Sequence, residues 1–157
     1  MMLIISQAIT DEDITNARTL FREYEAWLDL DLCFQGFEDE LRSLPGKYAA
    51  PDGRLLLAYQ EENLAGCIAL RKLDDGVCEM KRLFVRHEFR GHKIGVHLIE
   101  MLIADARKIG YKSVRLDTYP PKMAKAVSLY ESHGFVPIPP YYDNPHSGEV
   151  LFMELTL

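Results

Sequence analysis

The stretch Val85 to Gly95 reads V-R-H-E-F-R-G-H-K-I-G and stands between a strand-like run and a helix-like one. A helix N-terminus exposes N–H groups without partners and a partial positive charge, so a turn that brings backbone close to a ligand there makes an anion site. Gly91 and Gly95 permit that approach, although the same two glycines would also serve a plain turn and a close helix contact. From Lys81 to Lys93 the chain carries Lys81, Arg82, Arg86, Arg90 and Lys93 against Glu88 alone, with His87 and His92 beside them. Such a local positive field suits a small polyanion. Neither G-x-x-x-x-G-K-[ST] nor G-x-G-x-x-G occurs, so neither a nucleotide P-loop nor a dinucleotide fold is indicated.

Other conspicuous residues offer less. His87-Glu88-x-x-x-His92 is one residue longer than the H-E-x-x-H zinc helix. At intervals of five, His87, His92 and His97 diverge by about 140° per step on a helix, so no metal site is expected. Cys78 and His87 form no nucleophile, base and orienting-group set at a recognisable spacing. Cys33, Cys67 and Cys78 are odd in number and lack C-x-x-C spacing, which predicts free thiols and a cytoplasmic, reducing setting.

These residues need elements to position them, and the apolar patterning supplies a mixed α/β order without repeats or linkers, read as a single domain over residues 1–157. Leu3 to Ile9 is strand-like. Thr10 with Asp13 resembles a capping box in front of Ile14, Ala17, Leu20, Phe21, Tyr24, Trp27 and Leu28 at helical spacing, and a shorter helix is expected over Phe34 to Leu44. Pro45-Gly46 and Pro51-Asp52-Gly53 then break the chain before three strands of an antiparallel meander, Arg54 to Gln60 and two more ending at Val85. A helix follows from His92 or Lys93 to Lys108, stopped at Gly110, with a strand over Ser113 to Thr118. A second crossover helix over Lys122 to Ser132, and strands over Phe135 to Ile138 and Glu149 to Leu157, complete the chain. Strict alternation places Glu79, Lys81, Leu83 and Val85 on one face of their strand and Met80, Arg82 and Phe84 on the other.

Composition agrees with this order. The 157 residues are 48% hydrophobic, with ten Gly and eight Pro, which excludes disordered, fibrous and small disulfide-stapled classes. No apolar run approaches the ~20 residues of a membrane span, and MMLIISQAITDED lacks the basic region of a signal peptide. The net charge of −6 is uneven: residues 1–46 hold ten carboxylates and three arginines, and the remainder is near neutral. An acidic chain with one short basic stretch lacks the footprint that nucleic acid requires.

Arg90 to Gly95, R-G-H-K-I-G, resembles the acetyl-CoA loop [Q/R]-x-x-G-x-[G/A] of the GNAT N-acetyltransferase superfamily, and Leu129-Tyr130-Glu131-Ser132-His133-Gly134-Phe135 matches its second signature, L-Y-x-x-x-G-F before a strand. The order and spacing of both motifs agree. The resemblance implies a central, mostly antiparallel twisted sheet of about seven strands with a splayed parallel pair, flanked by about four helices. By the same resemblance, pantetheine lies in the splay beside Leu83, Phe84 and Val85. The pyrophosphate meets Arg90, Gly91, His92, Lys93, Ile94, Gly95 and Val96, with Met123 and Tyr130 completing the cofactor contacts. Lys93 stands where the loop usually has its middle glycine, and Met123 where many members carry asparagine.

The implied activity is direct transfer of acetyl from acetyl-CoA to a primary amine, without a metal or a covalent enzyme intermediate. Tyr130 matches the tyrosine that protonates the departing thiolate. Glu79 sits six residues before Val85, the offset of the general base in the histone-acetyltransferase branch, and Asp117 and His133 are alternatives. The acceptor side would draw on Trp27, Asp29, Asp31, Phe34 and Gln35, on Asp117, and on Tyr141, Tyr142 and Asn144 of P-P-Y-Y-D-N-P. The acidic first segment favours a small cationic amine. Acetylation of a protein N-terminus or lysine, a non-catalytic acyl-CoA-binding or protein-interaction module, and a homodimer are the other expectations the resemblance leaves open.

Overall fold

Strand β2 (Arg54–Gln60) sends Leu55 and Leu57 to one apolar layer and Leu56 and Ala58 to another, so this sheet needs cover on both faces. The computed structural model, which describes residues 2–29, 32, 36–146 and 148–157, supplies it with helices on each side. The other strands are β1 (Leu3–Gln7), β3 (Asn63–Asp74), β4 (Val77–Val85), β5 (Ser113–Thr118), β6 (Val136–Ile138) and β7 (Leu151–Thr156). They form one sheet in the order β1-β2-β3-β4-β5-β7-β6, antiparallel throughout except for the parallel pair β4/β5.

Helices α1 (Asp11–Leu28) and α2 (Phe37–Ser43) cover one face, where Leu20, Phe21, Tyr24, Phe37 and Leu41 pack on Leu55, Leu57, Cys67 and Phe84. Helix α3 (Ile94–Ile109) covers the other with Leu98, Ile99, Leu102 and Ala106 against Leu56, Ile68, Leu70, Cys78 and Met80. Helix α4 (Pro120–Ser132) gives Met123 to the first layer and Tyr130 to the second. The capping box at α1 is present: the Asp13 amide donates to Thr10 Oγ1 at 3.0 Å and the Thr10 amide donates to Asp13 Oδ2 at 3.2 Å. Helix α3 ends as expected, with Gly110 at φ 108° accepting the left-handed turn.

Several boundaries move. β1 stops at Gln7, α4 begins at Pro120 because proline is favoured in a first helical turn, and β7 spans Leu151–Thr156. Helix α2 is shorter than the Phe34 to Leu44 expectation, of which Phe34 and Gln35 lie outside the described residues, as does Asp31.

The larger correction concerns β4. Arg82 sits at φ 63°, and the β3/β4 register shifts between Cys67/Phe84 and Ala69/Lys81, so Arg82 and Leu83 together oppose Ile68. This is a β-bulge, and one extra residue reverses the alternation beyond it. Glu79, Lys81, Arg82 and Phe84 consequently face α1 and α2, whereas Cys78, Met80, Leu83 and Val85 face α3. The expected grouping of Glu79 and Lys81 with Leu83 and Val85 does not hold.

Candidate active site

β4 and β5 pair only at Val77/Ser113, Cys78/Val114 and Glu79/Arg115, although both strands run on. Past that point they splay. The Phe84 carbonyl faces Gly66 on β3 and the Arg86 amide donates to the Ala65 carbonyl at 2.8 Å. Backbone direction alternates along a strand, so the polar groups of Val85 between them turn into the gap. Arg90 Nε donates to the Val85 carbonyl at 2.9 Å, and its guanidinium lies 5.0 Å from the Trp27 ring centroid and 5.9 Å from that of Phe84.

On the α3 side of the gap runs a groove of about 740 Å³. Leu83, Phe84 and Val85 form one wall, Arg90, Gly91, Lys93, Ile94, Gly95 and Val96 the end, and α4 from Pro121 to Ala126 the opposite wall. Lys93 is the N-cap of α3 and makes no side-chain cap, leaving the first helical amides to the groove. Gly91 takes φ 85°, which favours glycine. A Cβ on Gly95 would meet Leu129 at 3.9 Å and Val85 at 4.0 Å, ordinary contact, so the glycine keeps the groove floor open. His92 is exposed and does not line it. Lys122, Lys125 and Phe89 do, and no sequence motif pointed to them.

At Leu83 and Met123 the groove abuts a small cavity of about 40 Å³ in the splay, bounded also by Tyr24, Lys81, Arg82, Asp117, Thr118 and Tyr130. Met123 breaks helical geometry there (φ −122°, ψ 32°) and its sulfur lies 3.6 Å from Thr118 Oγ1. Tyr130 is 4% exposed, packs on Phe135 with 5.8 Å between ring centroids, and its hydroxyl makes no hydrogen bond among the described residues. Burial first, then the neighbouring Tyr24 and Asp117, push the Tyr130 phenol well above its usual range, so it is a protonated donor.

Beyond Lys81 opens a second pocket of about 510 Å³, lined by α2, Pro45 to Tyr48, Arg71, Glu79, Tyr141 and Tyr142. The segment after β6 straps it down by two bonds: Tyr141 donates to Glu79 Oε2 on β4 at 2.6 Å, and Tyr142 donates to Asp117 Oδ2 on β5. Asn144 Nδ2 supports Tyr142 at 2.9 Å. Glu79 is 1% exposed and also meets Arg71 Nε at 2.8 Å and Lys81 Nζ at 3.8 Å. Burial pushes its carboxyl up, but Lys81, Arg71 and Tyr141 outweigh burial and hold it below the ordinary carboxylate range.

The anticipated residues are thus divided. Tyr130 and Asp117 share the splay cavity, whereas Glu79 lines the pocket beyond Lys81. Trp27 stands on the cofactor groove, because the last turn of α1 lies against Phe84 near the end of β4. His133 lines none of these pockets, with Nδ1 2.9 Å from the Leu129 carbonyl and Nε2 3.9 Å from Glu100. The basic stretch is largely consumed internally: Arg82 forms a two-pronged pair with Glu40 (2.9 and 2.9 Å) and Arg86 with Glu23 (3.0 and 2.8 Å). Two carboxylates of the acidic first segment thus answer two arginines of the basic stretch, and Arg90 and Lys93 are what this stretch leaves at the groove.

The Acetyltransferase (GNAT) family model matches residues 16–135. The chain belongs to the GNAT acetyltransferase family. An uncharacterized N-acetyltransferase of Schizosaccharomyces pombe is 41% identical to it, covering 98% of this chain and 94% of that protein. One of Dictyostelium discoideum is 36% identical over 93% of this chain and 95% of its own. PaiA N-acetyltransferase from Thermoplasma acidophilum, solved with coenzyme A, shares the fold with a TM-score of 0.73 at 21% identity over 100% of both chains. As a GNAT family member, the protein is an acetyl-CoA-dependent acyltransferase. Among the described residues no helix is long and apolar enough to cross a membrane.

Proposed function

We propose that this GNAT protein transfers the acetyl group of acetyl-CoA to the primary amine of a small molecule by direct attack in a ternary complex. The observation that carries the reading is the unpaired stretch of β4 and β5, with a ligand-sized groove on one side and, through Leu83 and Met123, a cavity holding a hydroxyl and a carboxylate on the other. The groove fits the cofactor chemically. Uncapped amides at the start of α3, with Lys122 and Lys125, match phosphates, and Phe84, Val85, Ile94 and Leu129 match an extended apolar arm. Val85 would bond that arm through its amide, and through its carbonyl once Arg90 releases it.

Asp117 lines the cavity and, with Oδ2 accepting from Tyr142, would take a proton from an incoming ammonium on Oδ1. The free amine then attacks the thioester carbonyl, a C–N bond forms, and the C–S bond breaks. Tyr130 donates to the departing thiolate and regains a proton from the acylated nitrogen, so the balance is amide, thiol and one proton released through Asp117. Neither described cysteine supports a covalent intermediate: Cys67 and Cys78 are buried, and burial pushes the Cys78 thiol up to about 12. Glu79, with both oxygens engaged and its carboxyl held low, acts through Tyr141, Arg71 and Lys81.

Thiol release with a panel of small amines tests this. Asp117→Asn should lower kcat about 100-fold or more and Tyr130→Phe about tenfold or more, with acetyl-CoA affinity unchanged by calorimetry. A Glu79→Gln variant that loses the alkaline-rising limb of the pH profile, while Asp117→Asn keeps it, would return the base to Glu79.

A further inference from the structure

The pocket beyond Lys81 points to the rest of the acceptor, and this inference rests on the acetyl-transfer reading above. We propose that the acceptor is a small amine that also carries a carboxylate, received by the guanidinium of Arg71 and the ammonium of Lys47.

The pocket has carboxylates, but they are already answered. Glu40 is gripped at 2.9 Å on both oxygens by Arg82, which is 3% exposed, and Asp39 pairs with Arg42; neither arginine lines the pocket. Glu79 spends Oε1 on Arg71 and Oε2 on Tyr141. Among the described residues that leaves Oδ2 of Asp39, on a side chain that stays largely in water, so a cationic acceptor would find little here to repay its lost hydration.

The cations are in the opposite condition. Arg71 is 24% exposed, and its Nε is fixed to Glu79 at 2.8 Å while Nη1 reaches the Lys72 carbonyl at only 3.4 Å. Its Nη2 makes no hydrogen bond among the described residues. The Glu79 contact therefore orients the fork and leaves its outer edge for a carboxylate, the geometry in which guanidinium binds two oxygens at once. Lys47, from the turn after Pro45, lines the same pocket and forms no ion pair among the described residues. An amine near Asp117 and a carboxylate near Arg71 then fit the two ends of one zwitterionic molecule, with Lys81 lining both chambers between them.

Matched acceptors decide the matter: free amino acids, their amides and the corresponding decarboxylated amines, assayed by thiol release from acetyl-CoA with the full chain. The expected result is kcat/KM at least tenfold higher for the acids than for the amide and the amine. Arg71→Lys, which keeps a charge beside Glu79, should raise KM for the acid about tenfold with kcat little changed, and should leave KM for the amide unaffected. Lys47→Gln should give the same pattern, about threefold, from a residue that forms no ion pair among the described residues. Preference for decarboxylated amines or polyamines, or variants that affect acid and amide alike, would overturn the proposal and leave acetyl transfer to small amines standing. Silence with every small acceptor, in protein that binds acetyl-CoA, would remove both.

Discussion

On the α3 side of the splay the groove is walled by strand backbone, uncapped helix amides, two glycines and apolar side chains. On the α2 side the pocket is walled by side chains held through bonds to distant segments: Glu40 by Arg82, Glu79 by Arg71 and Tyr141, Tyr142 by Asp117. A ligand held by backbone needs only a chain path, whereas a ligand held by side chains needs every partner satisfied before it arrives. Substitutions should therefore cost stability on the acceptor side and alter binding on the cofactor side.

The sharpest break in that contrast is expected at Glu40. Arg82 is fully enclosed, its guanidinium 5.2 Å from the Phe37 ring centroid and 6.0 Å from that of Tyr24, and it sits in the bulge that sets the facing of β4. Glu40→Gln leaves a buried cation half answered and should cost about 3–5 kcal/mol in denaturant unfolding. A loss under about 1 kcal/mol would mean that the ring contacts alone hold Arg82.

Glu79→Gln comes next, at about 2–3 kcal/mol, since Arg71 keeps some solvent and glutamine still accepts from Tyr141. The pH dependence follows from the lowered carboxyl. A group whose folded pKa lies below its unfolded value stabilises fully above the ordinary carboxylate range, and that contribution vanishes as pH falls through the folded value. The gap between wild type and Glu79→Gln should therefore be widest near neutrality and close on acidification below about pH 4. Acetyl-CoA affinity should not change; if it falls, the two sides are coupled through β4.

The same contrast explains what was legible in the sequence. The ends of β2 and β5 fell where expected because Gly53, the Glu61-Glu62-Asn63 turn and Gly110 punctuate them locally, and the cofactor loop was readable because its chemistry is its local backbone. The bulge at Arg82 carries no residue signature: a non-glycine at φ 63° is imposed by packing against α2, and it reversed the expected facing of Glu79 and Lys81. Arg82–Glu40 and Arg86–Glu23 join positions 42 and 63 residues apart, so a local charge count read as a free field what the fold had already neutralised. Arg71 carries no local signal, because nothing in its own strand distinguishes a committed guanidinium from one with a spare edge. The sequence groups Trp27 with the acceptor-side residues of its segment, but helix length carries it past the splay onto the groove.

Gly95→Ala separates binding from folding. The added methyl meets only ordinary contacts and replaces a helical glycine, so stability should rise by about 0.5–1 kcal/mol. The same methyl stands on the groove floor, and calorimetry should show acetyl-CoA binding weakened several-fold. Unchanged affinity would place the cofactor away from this turn.

Lys93→Gly should have the smallest effect and is the most informative about the loop. Lys93 caps α3 at φ 62°, a conformation that costs an L-residue roughly 1–2 kcal/mol, and glycine removes that strain while giving back part of it as unfolded-chain entropy. Net stability should change by under about 1 kcal/mol, in the stabilising direction. If the loop binds phosphate through its amides, affinity for acetyl-CoA should hold or tighten, because the Lys93 amide survives the substitution. A tenfold loss would instead assign the ammonium to a phosphate. In that case the residue tolerates a left-handed backbone because its side chain is needed at the groove, and the cofactor side too would depend on a specific side chain.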